Sequence, residues 1–179
     1  VKQTLRLFDE NLIEHYRFLG YQYKQMNNIN KFKEIIEAGA EAFKKIKGDN
    51  KKLLAIYYNF LGGDFKYFGD IKTFKELLQK SLEIFKTLKI ENTKEMAMCF
   101  QNFSMYAHDC DENDKAIEYA QKVLEIKIAL GLSPEEIFNS IVSIGKLYNF
   151  KGNLIEAEHS LMKAKKLLEE SKVKDGNAW

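Results

Sequence analysis

Apolar residues recur along the chain at the three- and four-residue spacing of an amphipathic helix. Between residues 116 and 129, for example, they fall at Ala116, Ala120, Val123, Leu124 and Ile126. This spacing places them on one face of a helix. The strict alternation of apolar and polar residues that is typical of a strand is not found in the sequence. The pattern therefore predicts an all-α fold.

The helical pattern repeats with a period near 42 residues. The segment from Phe32 to Phe43 matches the segment from Phe74 to Phe85 in its Phe-Lys-Glu start, its two aliphatic residues and its closing Phe. Related segments begin at Ala116 and Ala157. A fixed period of this length indicates a repeat architecture, and each of the four repeats contains two helices.

Turn and capping residues occupy matching places in the repeats. Gly69-Asp70, residues 111–114 and Gly152-Asn153 predict turns between the two helices of a repeat. Ser133-Pro134-Glu135-Glu136 supplies an N-cap, a proline at the first helical position and a capping-box glutamate. Gly48-Asp49-Asn50, Asn92-Thr93 and Asp9 mark the starts of the other repeats.

We expect a repeat domain over residues 9–171, with repeats at about 9–48, 49–91, 92–132 and 133–171. Residues 1–8 are expected to be a tail or the end of a preceding helix, and residues 172–179 a C-terminal tail.

Composition supports a globular helical protein. Of the 179 residues, 45% are hydrophobic and 30% charged, which excludes a disordered chain. The single proline disfavours a turn-rich β fold. No apolar run reaches the roughly 18 residues of a membrane span, and two cysteines are too few for a disulfide framework. We therefore expect a cytoplasmic protein that does not bind a membrane.

The net charge of +2 gives no overall field that would attract nucleic acid. Positive charge is concentrated in the N-terminal half of the chain and negative charge in the C-terminal half. This asymmetry has two explanations: the N-terminal half binds an acidic partner, or the charged, solvent-exposed faces are unevenly distributed along the chain. No direct nucleic-acid partner is expected.

The repeats resemble the tetratricopeptide family. That family has a bulky residue, Leu-Gly and Tyr in the first helix of each repeat, and Ala, a bulky residue and Ala in the second. Repeat four carries Ile141, Ile144-Gly145, Tyr148, Ala157, Leu161 and Ala164 at the family spacings. The corresponding residues begin at Tyr16 in repeat one, Tyr58 in repeat two and Phe100 in repeat three. The resemblance implies helix pairs stacked as a right-handed α-solenoid.

Two features depart from the family pattern. Phe32 and Phe74 stand where the family usually has Ala, so we expect a wider or repacked helix crossing in repeats one and two. The period is near 42 residues rather than 34, which is similar to kinesin-light-chain-type domains and to bacterial peptide-sensing regulators of the Rap and PlcR type.

The resemblance implies a concave groove, lined by first helices, that binds a peptide or helical segment of another protein. Amide side chains in such a groove can pair with a peptide backbone, and lysines can hold a carboxylate. The family's groove positions correspond here to Arg17, Tyr21, Lys24, Asn59, Lys66, Gln101, Asn102, Met105, His108, Asn139, Ser143, Lys146 and Asn149. The full Lys/Asn/Arg set of the carboxylate-clamp subfamily is not matched.

The sequence does not indicate an enzyme or a cofactor-binding protein. It contains no P-loop, nucleophile-elbow or zinc-protease motif. His15, His108 and His159 lie in different repeats, where a structural hydrogen bond is a simpler interpretation than catalysis. The run at 109–114 imitates a calcium loop, but Asp114 replaces the Gly and Ala120 the Glu that such a loop requires. We therefore expect no catalytic residue, metal or cofactor.

Three functions remain open at this point. The first is a scaffold for protein–protein interaction, and the second is the peptide-sensing half of a bacterial cytosolic quorum-type regulator. The third is a helical accessory subunit of a larger complex, which would expose apolar patches on its convex face. The sequence also leaves a homo-oligomer open.

Overall fold

The computed structural model describes residues 2–45 and 51–176, and this part of the chain contains eight α-helices and no strand. The helices are α1 (Lys2–Gln25), α2 (Ile29–Lys45), α3 (Lys51–Tyr67), α4 (Ile71–Thr87), α5 (Lys94–Asp109), α6 (Asn113–Ala129), α7 (Pro134–Phe150) and α8 (Leu154–Gly176). The prediction of an all-α fold of helix pairs is confirmed. The helices belong to two compact units, Val1–Glu91 and Asn92–Trp179, called here the N-terminal and C-terminal units.

Each unit consists of two helix hairpins, and a three-residue turn connects the helices of every pair. The middle residue of each turn has a positive φ: Asn27 at 52°, Gly69 at 71°, Asp111 at 59° and Gly152 at 83°. The next residue closes a Schellman-type cap, as when the Asp70 main-chain N–H donates to the Phe65 carbonyl oxygen at 3.2 Å. The turns predicted at 69–70, 111–114 and 152–153 are confirmed, and the acidic run is a helix-connecting turn.

Side-chain hydrogen bonds cap the N-termini of α7 and α5, the first helices of their hairpins. The Ser133 hydroxyl accepts from the Glu136 main-chain N–H at 3.3 Å, and the Glu136 carboxylate completes the predicted capping box next to Pro134. The Thr93 hydroxyl accepts from the Met96 N–H at 3.2 Å at the start of α5. The predicted start at Gly48-Asp49-Asn50 lies outside the described residues.

Asp70 caps α4 and also connects it to α2. Its carboxylate accepts from the Thr73 N–H at 3.1 Å and pairs with the Lys33 ammonium at 2.7 Å. The hydrogen bond from Lys33 lowers the pKa of the Asp70 carboxyl below its usual value. The cap therefore stays ionised near neutral pH, where it also interacts favourably with the helix dipole.

The described residues at both ends of the chain are helical and belong to α1 and α8. α1 is one helix from Lys2, so residues 2–8 run into it without a turn and Asp9 does not begin a helix. α8 extends to Gly176 and so includes most of the segment expected to be a tail. Residues 2–8 and 172–175 contain no Gly or Pro that would end a helix. Residue 1 and residues 177–179 lie outside the described residues.

In the N-terminal unit, glycine makes room for the unexpected phenylalanine of repeat one. The Phe32 side chain is fully buried, and a Cβ atom at Gly20 would lie 3.1 Å from Phe32 Cε2. The ring also contacts Phe65 and Phe68, at centroid distances of 5.0 and 5.1 Å. The repacking expected in repeat one therefore consists of the Phe32 ring, which fills the space next to Gly20. The same ring also contacts the next hairpin through Phe65 and Phe68.

In the C-terminal unit, small residues let the paired helices approach closely. Ala116 and Ala157 are buried, and the Ser104 hydroxyl donates to the Ala116 carbonyl oxygen at 2.8 Å across the α5–α6 hairpin. A Cβ atom at Gly145 would lie 3.2 Å from Ser160 Cβ and 3.4 Å from the Ala157 carbonyl oxygen. α7 and α8 therefore leave no space for a large side chain at residue 145.

Replacing Gly145 with leucine is expected to destabilise this hairpin. Leucine would overpack the contact with Ala157 and Ser160, at a cost of about 1–3 kcal/mol in the free energy of unfolding. Urea unfolding followed by circular dichroism measures the loss, and Asn149→Leu on the exposed side of the same helix is the matched control. Equal stability of the two variants would contradict the close α7–α8 packing.

Candidate functional site

A pocket opens between α5, α6 and α7 in the C-terminal unit, with a volume of about 370 Å³. It is called here the α5–α7 pocket. Five of the predicted groove residues line it: Gln101, Met105, Asn139, Ser143 and Lys146. His108, which was placed in the groove on the same grounds, lines it as well. The structure thus brings together most of the predicted side chains of α5 with most of those of α7.

Apolar side chains that the sequence reasoning missed form the floor of the pocket. Ala120 and Val123 come from α6 and Leu147 from α7, and all three are buried in the fold. Phe150, which is 64% exposed, lies at the end of α7 and completes the lining. The α6 residues were missed because the groove was predicted from first helices alone. Their apolar periodicity was nevertheless visible in the sequence.

Two of the hydroxyl groups at the pocket are already used by their own helix. The Ser143 hydroxyl donates to the Asn139 carbonyl oxygen at 2.8 Å, and the Ser140 hydroxyl donates to the Glu136 carbonyl oxygen at 3.1 Å. The side chains of Gln101, Asn139 and Lys146 form no hydrogen bond or ion pair with the described part of the chain. These three side chains are therefore available to a ligand.

His108 has a structural position at one end of the pocket. Its Nδ1 lies 3.3 Å from the Asn113 side-chain oxygen, and its ring lies 4.7 Å from the Phe150 ring, centroid to centroid. A proton on Nδ1 would be donated to Asn113, which leaves Nε2 as an acceptor. The contacts agree with the interhelical hydrogen-bonding role expected from the sequence.

The pocket carries positive charge without a facing carboxylate. Lys127 and Lys146 both line it, and no Asp or Glu is among its lining residues in the described chain. The Lys127 ammonium donates to the main-chain carbonyl oxygen of Glu136 at 3.3 Å, which is not an ion pair. The electrostatic environment of the pocket therefore favours an anionic or electron-rich group.

The predicted asparagines Asn59, Asn102 and Asn149 do not line the pocket. Asn59 and Asn102 are only 1% and 9% exposed, and both make interactions within the fold. Asn59 is buried because α3 packs against α1, α2 and α4 at once. Their assignment as exposed groove residues is therefore corrected. Asn149 is exposed but lies outside the pocket lining.

In the N-terminal unit, the predicted cations join α1 to α3. The Arg17 guanidinium lies 4.2 Å from the centre of the Phe60 ring and pairs with Glu14 at 2.7 Å. The Lys24 ammonium pairs with Asp64 at 2.7 Å and lies 4.9 Å from the centre of the Tyr67 ring. These positive charges are already compensated, so they offer less to a ligand than Lys146 does.

Tyr21 and Lys66, which were also predicted in this unit, differ in exposure. Tyr21 is 54% exposed on α1, whereas Lys66 on α3 is partly buried and makes an interaction within the fold. A cavity of about 360 Å³ lies between α2, α3 and α4, and none of the five predicted residues of this unit lines it. The convergence of predicted residues seen in the C-terminal unit does not occur at this cavity.

No group of three or more His, Cys, Asp or Glu side chains is arranged to hold a metal ion in the described part of the chain. Among the same residues, no helix combines the length and the apolar character needed to cross a bilayer.

Comparison with solved structures establishes the fold. BtubC (BKLC) from P. vanneervenii superposes with a TM-score of 0.75 at 19% identity, covering 92% of this chain and 66% of that one. A putative kinesin light chain of Podosopora anserina with nearly identical TPR-like repeats also gives a TM-score of 0.75, at 16% identity, covering 88% and 75% of the two chains. The predicted resemblance to tetratricopeptide-type helical repeats is confirmed at the level of the fold.

A Rap protein solved in complex with Competence and Sporulation Factor is also similar. Its TM-score is 0.66 at 16% identity, and the match covers 89% of this chain but 43% of the Rap chain. No family model matches the sequence. No curated protein matches it either.

Proposed function

We propose that the protein is a scaffold that binds a peptide or helical segment of a partner protein, and that the α5–α7 pocket is the centre of the binding surface. The observation that carries this proposal is the convergence of five predicted groove residues around one apolar floor. The tetratricopeptide-type fold agrees with it, because helical repeats present extended surfaces to partner chains.

The pocket offers the two kinds of contact that a bound segment needs. An apolar side chain of the partner can enter between Ala120, Val123 and Leu147, where it is removed from water. The amides of Gln101 and Asn139 can donate to, and accept from, the main chain of the same segment. Buried anchors surrounded by polar contacts are the usual arrangement of energetically important interface sites.

Blocking the pocket is expected to abolish most of the peptide binding. Ser143→Trp places a large ring over the floor from an exposed position, whereas Lys163→Trp adds the same ring at an exposed α8 residue outside the pocket. We expect about a tenfold or greater loss of affinity for Ser143→Trp and no loss for Lys163→Trp. Thermal unfolding should be nearly unchanged in both variants.

Peptides for this measurement can be selected on the full chain from a random displayed library, and their affinities measured by fluorescence polarisation. Unchanged binding by Ser143→Trp, or an equal loss in both variants, would place the binding site elsewhere. A library that yields no binder above the background of an unrelated helical repeat protein would count against the scaffold function itself.

A second candidate is the peptide-sensing half of a bacterial regulator. The Rap protein named above was solved with Competence and Sporulation Factor, and this chain spans less than half of its length. An output domain in the same polypeptide, such as a helix-turn-helix, would favour this candidate. Small-angle scattering with and without a selected peptide tests it, because a sensor must change conformation when the peptide binds.

A third candidate is an accessory subunit of a larger complex. Leu154, Ile155 and Met162 on α8 are 66%, 79% and 64% exposed, which is high for large apolar side chains. Polar substitutions of these residues should then disrupt the assembly in the source cell while peptide binding at the α5–α7 pocket is retained.

A further inference from the structure

The α5–α7 pocket combines an apolar interior with a cation that pairs with no carboxylate of the described residues. Lys146 is exposed at its rim and forms no ion pair with the described residues. Lys127 adds a second ammonium group, whose hydrogen bond within the described residues goes to the Glu136 main-chain oxygen at 3.3 Å. Since no carboxylate of the described chain lines the pocket, these lysines leave the pocket electrostatically favourable for an anionic ligand.

The interior has the size and lining of a small-molecule site. Its volume of about 370 Å³ falls within the range of ligand pockets, roughly 300–1,000 Å³. Such sites are lined mainly by apolar side chains with a few polar groups that fix the ligand. Here Met105, Val123, Leu147 and Phe150 supply apolar lining, and Lys146 is the charged group beside the amides of Gln101 and Asn139.

The polar groups available here are few for an extended peptide. The hydroxyls of Ser140 and Ser143 donate to carbonyl oxygens of their own helix, and Asn102 is buried. Gln101 and Asn139 remain to pair with a main chain. Recognition inside the pocket therefore depends more on apolar contact and on charge than on reading a peptide backbone.

We propose that the α5–α7 pocket also binds a small apolar monocarboxylate, with its apolar body on the floor and its carboxylate next to the Lys146 ammonium. Binding of such a small molecule goes beyond the scaffold function, because it requires no partner protein. It would occupy the space that an apolar side chain of a bound segment would use, so the two would compete. A small carboxylate could thereby regulate the binding of a partner.

The test uses the full chain and two probes of the same shape, 4-phenylbutyrate and its neutral amide, 4-phenylbutyramide. Affinities are measured by titration followed by nuclear magnetic resonance. We expect the acid to bind about three- to fivefold more tightly than the amide, the preference that one exposed ion pair can supply. Lys146→Gln should remove this preference, whereas Lys163→Gln, an exposed α8 residue outside the pocket, should retain it.

Equal binding of acid and amide, a preference that survives Lys146→Gln, or no binding of either probe would overturn the proposal. A second arm uses the peptides Gly-Gly-Phe and Gly-Gly-Phe-amide. If the peptide acid binds through Lys146 but 4-phenylbutyrate does not, the small-molecule site is wrong and the scaffold function stands. If 4-phenylbutyrate binds with the expected preference and displayed libraries yield no peptide, the site stands and the scaffold function is wrong.

Discussion

Replacing Phe32 with alanine is expected to lower the free energy of unfolding by about 3–5 kcal/mol, the usual cost of removing a fully buried phenylalanine ring. The side chain has no exposed surface and contacts the Phe65 and Phe68 rings of the neighbouring hairpin. The family pattern would place alanine at this position. Restoring the family residue is therefore expected to destabilise this chain.

The physical reason is the pairing of Phe32 with Gly20. The ring occupies the space next to the α-carbon of Gly20, where a Cβ atom would lie 3.1 Å from Phe32 Cε2. Alanine at residue 32 would leave a cavity that the two helices can close only in part, and residual cavity volume adds to the cost. The two residues thus act as one packing unit.

Urea unfolding of Phe32→Ala, with Phe18→Ala as control, measures this effect. Phe18 is 61% exposed on α1, so its loss should change stability by less than about 1 kcal/mol. Adding Gly20→Ala to Phe32→Ala should recover about 1 kcal/mol, because the methyl group fills part of the cavity and alanine favours the helix. Similar losses for Phe32→Ala and Phe18→Ala would show that Phe32 is not a core residue.

This pairing shows what the sequence could and could not predict about the fold. The repeat period, the turn at Gly69 and the capping box at Ser133 follow from local patterns, because each depends on residues within a few positions of one another. The repacking around Phe32 was predicted only as an alternative to a wider crossing. Its geometry depends on Phe65 and Phe68, which are more than 30 residues away in the sequence.

The same distinction applies to the candidate site. Helical periodicity places Asn59 and Lys146 on corresponding faces of first helices, but it does not reveal how many helices surround each position. α3 has neighbours on three sides and buries Asn59, whereas Lys146 remains exposed on α7. The contributions of Val123 and Lys127 required knowledge of which side of α6 faces α7.

The predicted groove cations have different environments in the two units, and the sequence alone does not reveal this difference. Arg17 and Lys24 are held by Glu14 and Asp64 and by aromatic rings, so they contribute to helix packing. Lys146 has no such partner among the described residues. Positive charge is more abundant in the N-terminal half, yet the cation best placed for a ligand lies in the C-terminal unit.

Gly39→Ala is the second substitution with a large expected effect. It is expected to lower the free energy of unfolding, although helix propensity alone predicts an increase. Alanine normally stabilises a helix interior by about 1 kcal/mol relative to glycine. At residue 39, however, a Cβ atom would overlap the hydroxyl and ring of Tyr57. We therefore expect a loss of about 2–3 kcal/mol in the free energy of unfolding, as for other overpacked cores.

Tyr57 is held at this place by hydrogen bonds and by burial. Its hydroxyl donates to the Ile35 carbonyl oxygen at 2.9 Å and lies 3.3 Å from that of Ile36, and its side chain is fully buried. Burial raises the pKa of the Tyr57 hydroxyl, which keeps it protonated as a donor. The ring cannot move away from Gly39 without breaking these hydrogen bonds between α3 and α2.

A double-mutant cycle separates this contact from other effects. Tyr57→Leu is itself expected to be destabilising, but it removes the phenol that an alanine at residue 39 would meet. Adding Gly39→Ala to Tyr57→Leu should then be neutral or stabilising by up to about 1 kcal/mol, the ordinary helix preference. Urea unfolding of the four proteins gives the coupling free energy. Equal losses from Gly39→Ala in both backgrounds would show that the close contact between Gly39 and Tyr57 does not determine the packing of α2 on α3.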